Sequence, residues 1–332
     1  MTSVIDRRTF LCGLTLGALS GSVVSQAQQP ARVHRIGVLR SLPPNDPSMA
    51  AFRQALLDLG YFEGKDFLIE YRSAEGQPEG FADLAVELQR LKADVLVVEG
   101  TPLSLAAKQA IGSTPIVFAA VADAVGSGLV VSLARPGGNI TGLSFLGPDT
   151  VGKHLQLLKE AVPRITRVAI LSHPGNPSEA TRRAMLKEAE VAARGLVMRP
   201  QFLEAQGPND FDGAFAKMTR AHADAVTVLT SIMFYRERKR LIDIAAKYRI
   251  PAVYPWREPV DAGGLMSYGP NIPDLFRRAA YFIDRILKGS RAGDLPVEQP
   301  TKFDMVINLK TAKALELTIP PSLLGRADQI IE

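Results

Sequence analysis

Cysteine is almost missing from this chain: of its 332 residues, only Cys12 carries a thiol. Cys12 sits in an N-terminal stretch, "DRRTFLCGLTLGALSGSVVSQA", that reads as a leader to be removed. The mature chain can then form no disulfide, no thiolate metal site and no cysteine nucleophile. Histidine is scarce too. His34, His154, His173 and His222 are the only ones, none is spaced as a metal pair, and there is no HExxH. No GxSxG, Walker A loop or GxGxxG follows an apolar strand, so the common turn signatures of acyl transfer and nucleotide binding are absent. "RPGGN" at Arg135 and "DAGG" at Asp261 are glycine turns without a strand-to-helix setting. Charge of one sign does not gather either. The net charge of +5 is spread along the chain without a basic arm, which argues against nucleic acid as a partner. Nothing here calls for a metal, a cofactor or a catalytic set.

The leader has three parts. Arg7 and Arg8 precede a short apolar run, which ends in small residues around Ser25-Gln-Ala27. That order is a secretory signal over residues 1–27, with cleavage expected near Ala27. Arg-Arg-Thr-Phe-Leu resembles the twin-arginine type. The run is too short and too rich in Gly and Ser for a membrane span, so the mature chain is expected to be exported and not membrane-spanning. Leu11 precedes Cys12 and the apolar run comes after it, which argues against lipidation.

Beyond Pro30, short apolar runs alternate with amphipathic segments. "HRIGVLR", "FLIEYRSAEG", "ADVLVVEG" and "PIVFAAV" read as strands, with helices between them. This alternation predicts a parallel sheet covered on both faces. The order then restarts at Arg167. "RVAILSHPGNP" echoes "RIGVLRSLPPNDP", and "ADAVTVLTSIMF" echoes "ADVLVVEGTPLS". Two related α/β lobes are expected, doubly wound and Rossmann-like, joined by a multi-segment hinge. We assign 33–146 plus 263–290 to the first lobe and 147–262 plus 300–332 to the second. Ligands of doubly wound sheets sit at the carboxyl ends of strands, so the matching turns should face one cleft.

A cleft without chemistry suits a binder, which must release its ligand unchanged. In "EGTPLS" a helix starts at the end of a strand. Its free amides and partial positive charge suit a carboxylate, with Thr101 and Ser104 adding hydroxyls. Thr101 equally suits the role of helix cap, with Pro102 at the first helical position. Asp123 suits a ligand ammonium or the cap of a following turn. Asn176 and Ser231 hold the matching turns of the second lobe, either as turn formers or as ligand contacts. Tyr254 and the single tryptophan, Trp256, suit an aromatic cleft wall, with packing between lobes the alternative for Trp256. His173, in a turn facing the expected cleft, reads as a contact residue rather than a base.

Several stretches carry a family resemblance: "FRQALLDLGYFEGKDFLIEYRSAEG", "PIVFAAVADAVGSGLVVSLARPGGNITGLS", "LLKEAVPRITRVAIL", "AGGLMSYGP" and "VEQPTKFDMVINLKTAKALELTIPPSLLGRAD". In this order they resemble the bacterial ABC-transporter substrate-binding proteins related to the tryptophan/tyrosine binder. The resemblance implies a type I periplasmic binding-protein fold with a three-segment hinge, and ligand capture by lobe closure. It also puts Thr101, Asp123, Asn176 and Ser231 at the cleft. The expected function is a monomeric periplasmic protein without cofactor. It would capture a small carboxylate, an amino acid with an apolar or aromatic side chain, for an inner-membrane ABC permease. The alternatives are a ligand sensor for a membrane receptor and, less in keeping with the missing catalytic set, an exported hydrolase.

Overall fold

The structure, a computed structural model, describes residues 33–74, 80–145 and 147–332. The expected leader, Cys12 included, lies outside the described residues. In the first half the order is β1 (His34–Arg40), α1 (Pro47–Asp58), β2 (Phe67–Ser73), α2 (Phe81–Arg90), β3 (Val95–Glu99), α3 (Thr101–Ala110), β4 (Ile116–Val121) and β5 (Ile140–Ser144). Next come α4 (Gly147–Ala161), β6 (Arg167–Ser172), α5 (Glu179–Gly195), β7 (Arg199–Glu204), α6 (Phe211–Arg220) and β8 (Ala225–Val228). After these stand α7 (Ile232–Arg236), α8 (Arg238–Lys247), β9 (Ala252–Tyr254), α9 (Glu258–Asp261), β10 (Met266–Pro270) and α10 (Ile272–Leu287). The chain closes with β11 (Phe303–Asn308), α11 (Leu309–Ala314), α12 (Pro321–Leu324) and β12 (Gln329–Ile331).

Two sheets result. The first has the order β2-β1-β3-β4-β5 and is parallel throughout. The second has the order β12-β11-β10-β9-β8-β6-β7 and is parallel except where β10 meets β11. Strands β1, β3, β6 and β8 are apolar and almost wholly buried, as strands covered on both faces must be.

The repeat seen in the sequence performs the same task twice. The Arg35 amide donates to the Asp94 carboxylate at 2.8 Å, and the Arg167 amide donates to Asp224 at 2.9 Å. In return the Asp94 and Asp224 amides donate to the Arg35 and Arg167 carbonyls. Each aspartate thus clasps the start of its strand to the start of the neighbouring one. Burial pushes the Asp224 carboxyl up, but the Thr166 and Arg167 amides prevail and hold it below the usual carboxylate range. The Pro-led strands match as well. Leu96 donates to the Pro115 carbonyl and Val226 to the Pro251 carbonyl.

One expected assignment needs correction. Residues 263–290 do not belong to one lobe. Strand β10 joins the second sheet, between β9 and β11, while α10 packs on α1 and on strands β3 to β5 of the first. The reason is local. Helix α9 is a single turn, and Gly264 closes it with a bond to the Pro259 carbonyl, so β10 must return beside β9. A Cβ at Gly269 would stand 1.8 Å from the Pro255 carbonyl oxygen, so only glycine allows this approach. The chain then leaves the sheet at Pro270, and Asn271 caps α10 while donating to Asp304 of β11 at 2.8 Å.

Three crossings therefore join the lobes: between β5 and α4, between β10 and α10, and on the way to β11. Before the third, the Ser144 amide donates to the Glu298 carbonyl and the Glu298 amide to the Gly142 carbonyl, which holds the chain to the first sheet. Helix α10 buries Leu275, Phe276, Ala279, Phe282, Ile283 and Ile286 along one stripe. The apolar cluster it joins includes Phe52 and Val97 of the first lobe and Leu155 and Val168 of the second. Among the described residues no helix is long and apolar enough to cross a membrane.

His154 of α4 is wholly enclosed beneath the second sheet. Its Nε2 lies 2.6 Å from the Tyr268 carbonyl oxygen, which can only accept, so the proton resides on Nε2. Burial disfavours the imidazolium and pushes the pKa down to about 4, despite that bond. The folded value lies below the unfolded one, so stability is complete above about pH 6.5 and falls as pH drops towards 4. His154 should contribute roughly 3 kcal/mol of this loss. Urea denaturation between these pH values should show His154→Asn losing correspondingly less stability than the wild type.

Candidate functional site

The carboxyl ends of both sheets face a cleft of about 540 Å³ of non-atom space, part of it open to solvent. The first lobe contributes Leu42, Glu99, Gly100, Thr101, Pro102, Ala120, Ala122 and Phe145. The second contributes Asn176, Pro177, Thr230, Ile232, Tyr235 and Trp256, and Ile272 opens α10 between them. Most of these side chains are apolar. Trp256 and Tyr235 meet edge to face, with ring centroids 5.4 Å apart. Arg238 lies over the Tyr235 ring at 5.0 Å and donates to the Tyr235 carbonyl, which fixes this wall.

Gly100 ends β3 with φ +75° and serves as the N-cap of α3, with no side chain capping the helix. Positive φ makes glycine the natural residue here. A side-chain cap would have answered the first amides of α3 from within, so this end of the helix is suited to an anion. On the neighbouring strand the register of β4 slips between Phe118 and Val121, and Ala120 takes φ +56°. Such a bulge re-aims the residues after it, and both Ala120 and Ala122 reach the cleft.

Of the residues singled out in the sequence, Thr101, Asn176 and Trp256 line this cavity. Thr101 is not the helix cap. It is the first helical residue, and its hydroxyl accepts from the Ala122 amide at 3.2 Å, tying the α3 turn to the end of β4. Asn176 precedes a cis peptide bond to Pro177.

The other four do not line the cavity. The Ser104 hydroxyl donates to the Gly100 carbonyl at 2.7 Å, inside its own helix turn. Asp123 accepts from the Gly126 amide at 2.7 Å and shapes the turn after β4. Ser231 is buried and caps α7 through the Met233 amide, leaving Thr230 to face the cleft. Tyr254 points away. Successive strand residues face opposite sides of a sheet, and while Val253 joins the cluster around α10, Tyr254 joins the one under α6 and α8. His173 also lies away from the cavity, edge-on to Phe234.

Sequence reasoning passed over the charged group behind the cleft. Arg40 ends β1 and is 0% exposed. Its Nε and Nη2 donate to the two oxygens of Glu99, both at 3.0 Å. Its Nη1 and Nη2 donate to Asp46 at 2.9 and 2.7 Å, and its guanidinium lies 4.5 Å from the centre of the Phe276 ring. Burial alone would lower the Arg40 pKa, but the two carboxylates outweigh it and raise it further. Burial likewise works against the Asp46 carboxylate, and the bonds from Arg40 prevail and hold it below the usual range. One cation thus stands between two carboxylates. The signal was present as "GVLR" and "VVEG": apolar strands that each end in a charge of opposite sign. Tyr235 had no such signal, because it lies in a helix whose sequence reads as ordinary. Among the described residues no group of His, Cys, Asp and Glu is arranged to hold a metal.

The family of ABC transporter substrate-binding proteins matches residues 36–331. The chain belongs to this family. It is similar to the tyrosine-binding protein of Clostridioides difficile, with 26% identity over 83% of this chain and 78% of the relative. Among solved structures it resembles a conserved domain protein of Vibrio cholerae, with 29% identity, TM-score 0.82, and coverage of 90% of this chain and all of the other. It also resembles an ABC domain of Streptococcus pneumonia in complex with L-Trp, with 25% identity, TM-score 0.83 and the same coverage. The two mainly parallel sheets with their helices match these neighbours, and the fold is that of a type I periplasmic binding protein.

Arg40→Met should cost about 3–5 kcal/mol of stability in urea denaturation, since it leaves the buried Glu99 and the half-buried Asp46 without their cation. A loss below about 1 kcal/mol would place the cluster among solvated surface pairs.

Proposed function

We propose that this substrate-binding protein is exported to the periplasm and captures an amino acid with an apolar or aromatic side chain for an inner-membrane ABC permease. The cavity between the lobes, walled by Trp256 and Tyr235, is the observation that carries this reading. An aromatic wall with few polar groups favours an apolar or aromatic side chain. The uncapped start of α3 at Thr101 offers a partial positive charge to the ligand carboxylate. Asn176 and Thr230 reach the same space from the second lobe and would close over the ligand as the three crossings bend. The named ligands of two relatives, tyrosine and L-Trp, belong to the same class.

Closure would bury the ligand and present one shape to the permease, because a ligand held by both lobes favours the closed state. Binding without turnover fits a cavity whose described lining residues include no histidine and no nucleophile–base pair. The ammonium partner expected at Asp123 is not retained, since that carboxylate is engaged with Gly126 outside the cavity.

A thermal-shift screen with the common amino acids tests the reading. A ligand at a hundred times its dissociation constant should stabilise the protein by about 2.7 kcal/mol. Trp256 is the only tryptophan and lines the cavity, so titration with L-tyrosine or L-phenylalanine should also change its emission. Trp256→Ala should weaken the same ligand by about tenfold or more. If no amino acid shifts the melting temperature or the Trp256 emission, the proposed ligand class is wrong.

A further inference from the structure

We propose that Glu99 selects a ligand carrying a free ammonium group, and that the cluster of Arg40, Asp46 and Glu99 keeps a negative charge ready for it. This selectivity rests on the proposed capture of a small amino acid in the cavity. Glu99 is the one charged residue among those found to line the cavity, and it is only 7% exposed. A carboxylate so placed must be paired or must bind something. Arg40 pairs with it, but Arg40 is shared. Asp46 takes two further donations from the same guanidinium. Two carboxylates and one guanidinium leave one negative charge in excess behind an apolar cavity. Asp46 also caps α1 through the Met49 amide, and Glu99 is the acid of the two that faces the cavity.

The geometry leaves room for a ligand. A carboxylate accepts at about four positions, and Arg40 fills two of those on Glu99. An ammonium is a compact group of three donors and can take the others. Across the cleft Arg238 lies on the Tyr235 ring and has Glu258 for a neighbour. Gly100 alone separates Glu99 from the first turn of α3. An acid and a helix start so close together match the adjoining ammonium and carboxylate of an α-amino acid. Arg40 then acts as a positioning residue: its two bonds fix the direction of the Glu99 carboxylate.

The test compares ligands that differ in one charged group. Calorimetric titration of the wild type would use L-tryptophan, indole-3-propionate, which lacks the ammonium, and tryptamine, which lacks the carboxylate. The tyrosine series would be run alongside: L-tyrosine, 4-hydroxyphenylpropionate and tyramine. The amino acid should bind about 10- to 100-fold more tightly than its des-amino analogue, the range expected for one charge-assisted hydrogen bond. Glu99→Gln should bring the two within a few-fold, and Glu99→Asp should restore part of the difference. Equal wild-type affinity for the amino acid and its des-amino analogue would overturn the role of Glu99 while leaving the aromatic pocket intact. So would a folded Glu99→Gln that keeps the full preference. Should no member of either series bind the wild type, the amino-acid reading itself fails and the role of Glu99 with it. The wild-type comparison decides the matter even if Glu99→Gln does not fold.

Discussion

A buried guanidinium holds the first lobe's side of the cleft together. Arg40 links the end of β1 to the end of β3 through Glu99, to the start of α1 through Asp46, and to α10 through the face of Phe276. Asp46 in turn caps α1 by accepting from the Met49 amide. Four elements meet at one charge that has no access to water. Such a cluster is costly to assemble, because its members must shed their hydration, and it is worth keeping where direction matters more than strength. Here it fixes the carboxyl end of β3, and with it Gly100 and the start of α3. The cavity takes its shape on this side from that arrangement.

The second lobe builds its side from aromatic rings, with the Arg238 guanidinium laid over Tyr235 in place of a buried ion cluster. Its wall rests on the edge-to-face contact of Trp256 with Tyr235 and on the caps that Ser231 and Ser178 supply to α7 and α5. The two lobes share their clasps at the far ends of the strands, at Asp94 and Asp224, and differ at the ends that face the cleft. This division comes from the architecture. The amino ends of the strands only need to be closed, whereas the carboxyl ends must fit the molecule that is bound.

Between the lobes, α10 carries the packing. It arises from a strand of the second sheet and lies against the first, so its apolar stripe joins both halves into one cluster. The three crossings and this shared core tie the two lobes together on either side of the cleft.

Much of the fold was legible in the chain itself. The alternation of apolar strands with amphipathic helices, the restart at Arg167 and the paired Ala-Asp and Pro landmarks determine two related α/β lobes, because these patterns are local and each arises from backbone periodicity. Strands β5 and β7 were not legible. One has a glycine at its centre, and the other is a polar edge strand, so neither carries an apolar run. The site was legible only in part. A turn at a strand end marks a cleft, and Thr101, Asn176 and Trp256 lie there. Whether a hydroxyl or carboxylate in such a turn faces the cleft or bonds its own backbone depends on a rotation of one residue, which spacing does not encode. Ser104, Asp123 and Ser231 turned inward for that reason, and Tyr254 took the far face of its sheet. Only the tertiary structure brought Arg40, Asp46 and Glu99 together, because ion pairing across neighbouring strands depends on sheet order. It alone also assigned β10 to one lobe and α10 to the other, since backbone pairing is generic and a short loop, not a side-chain pattern, decides which sheet a strand can reach.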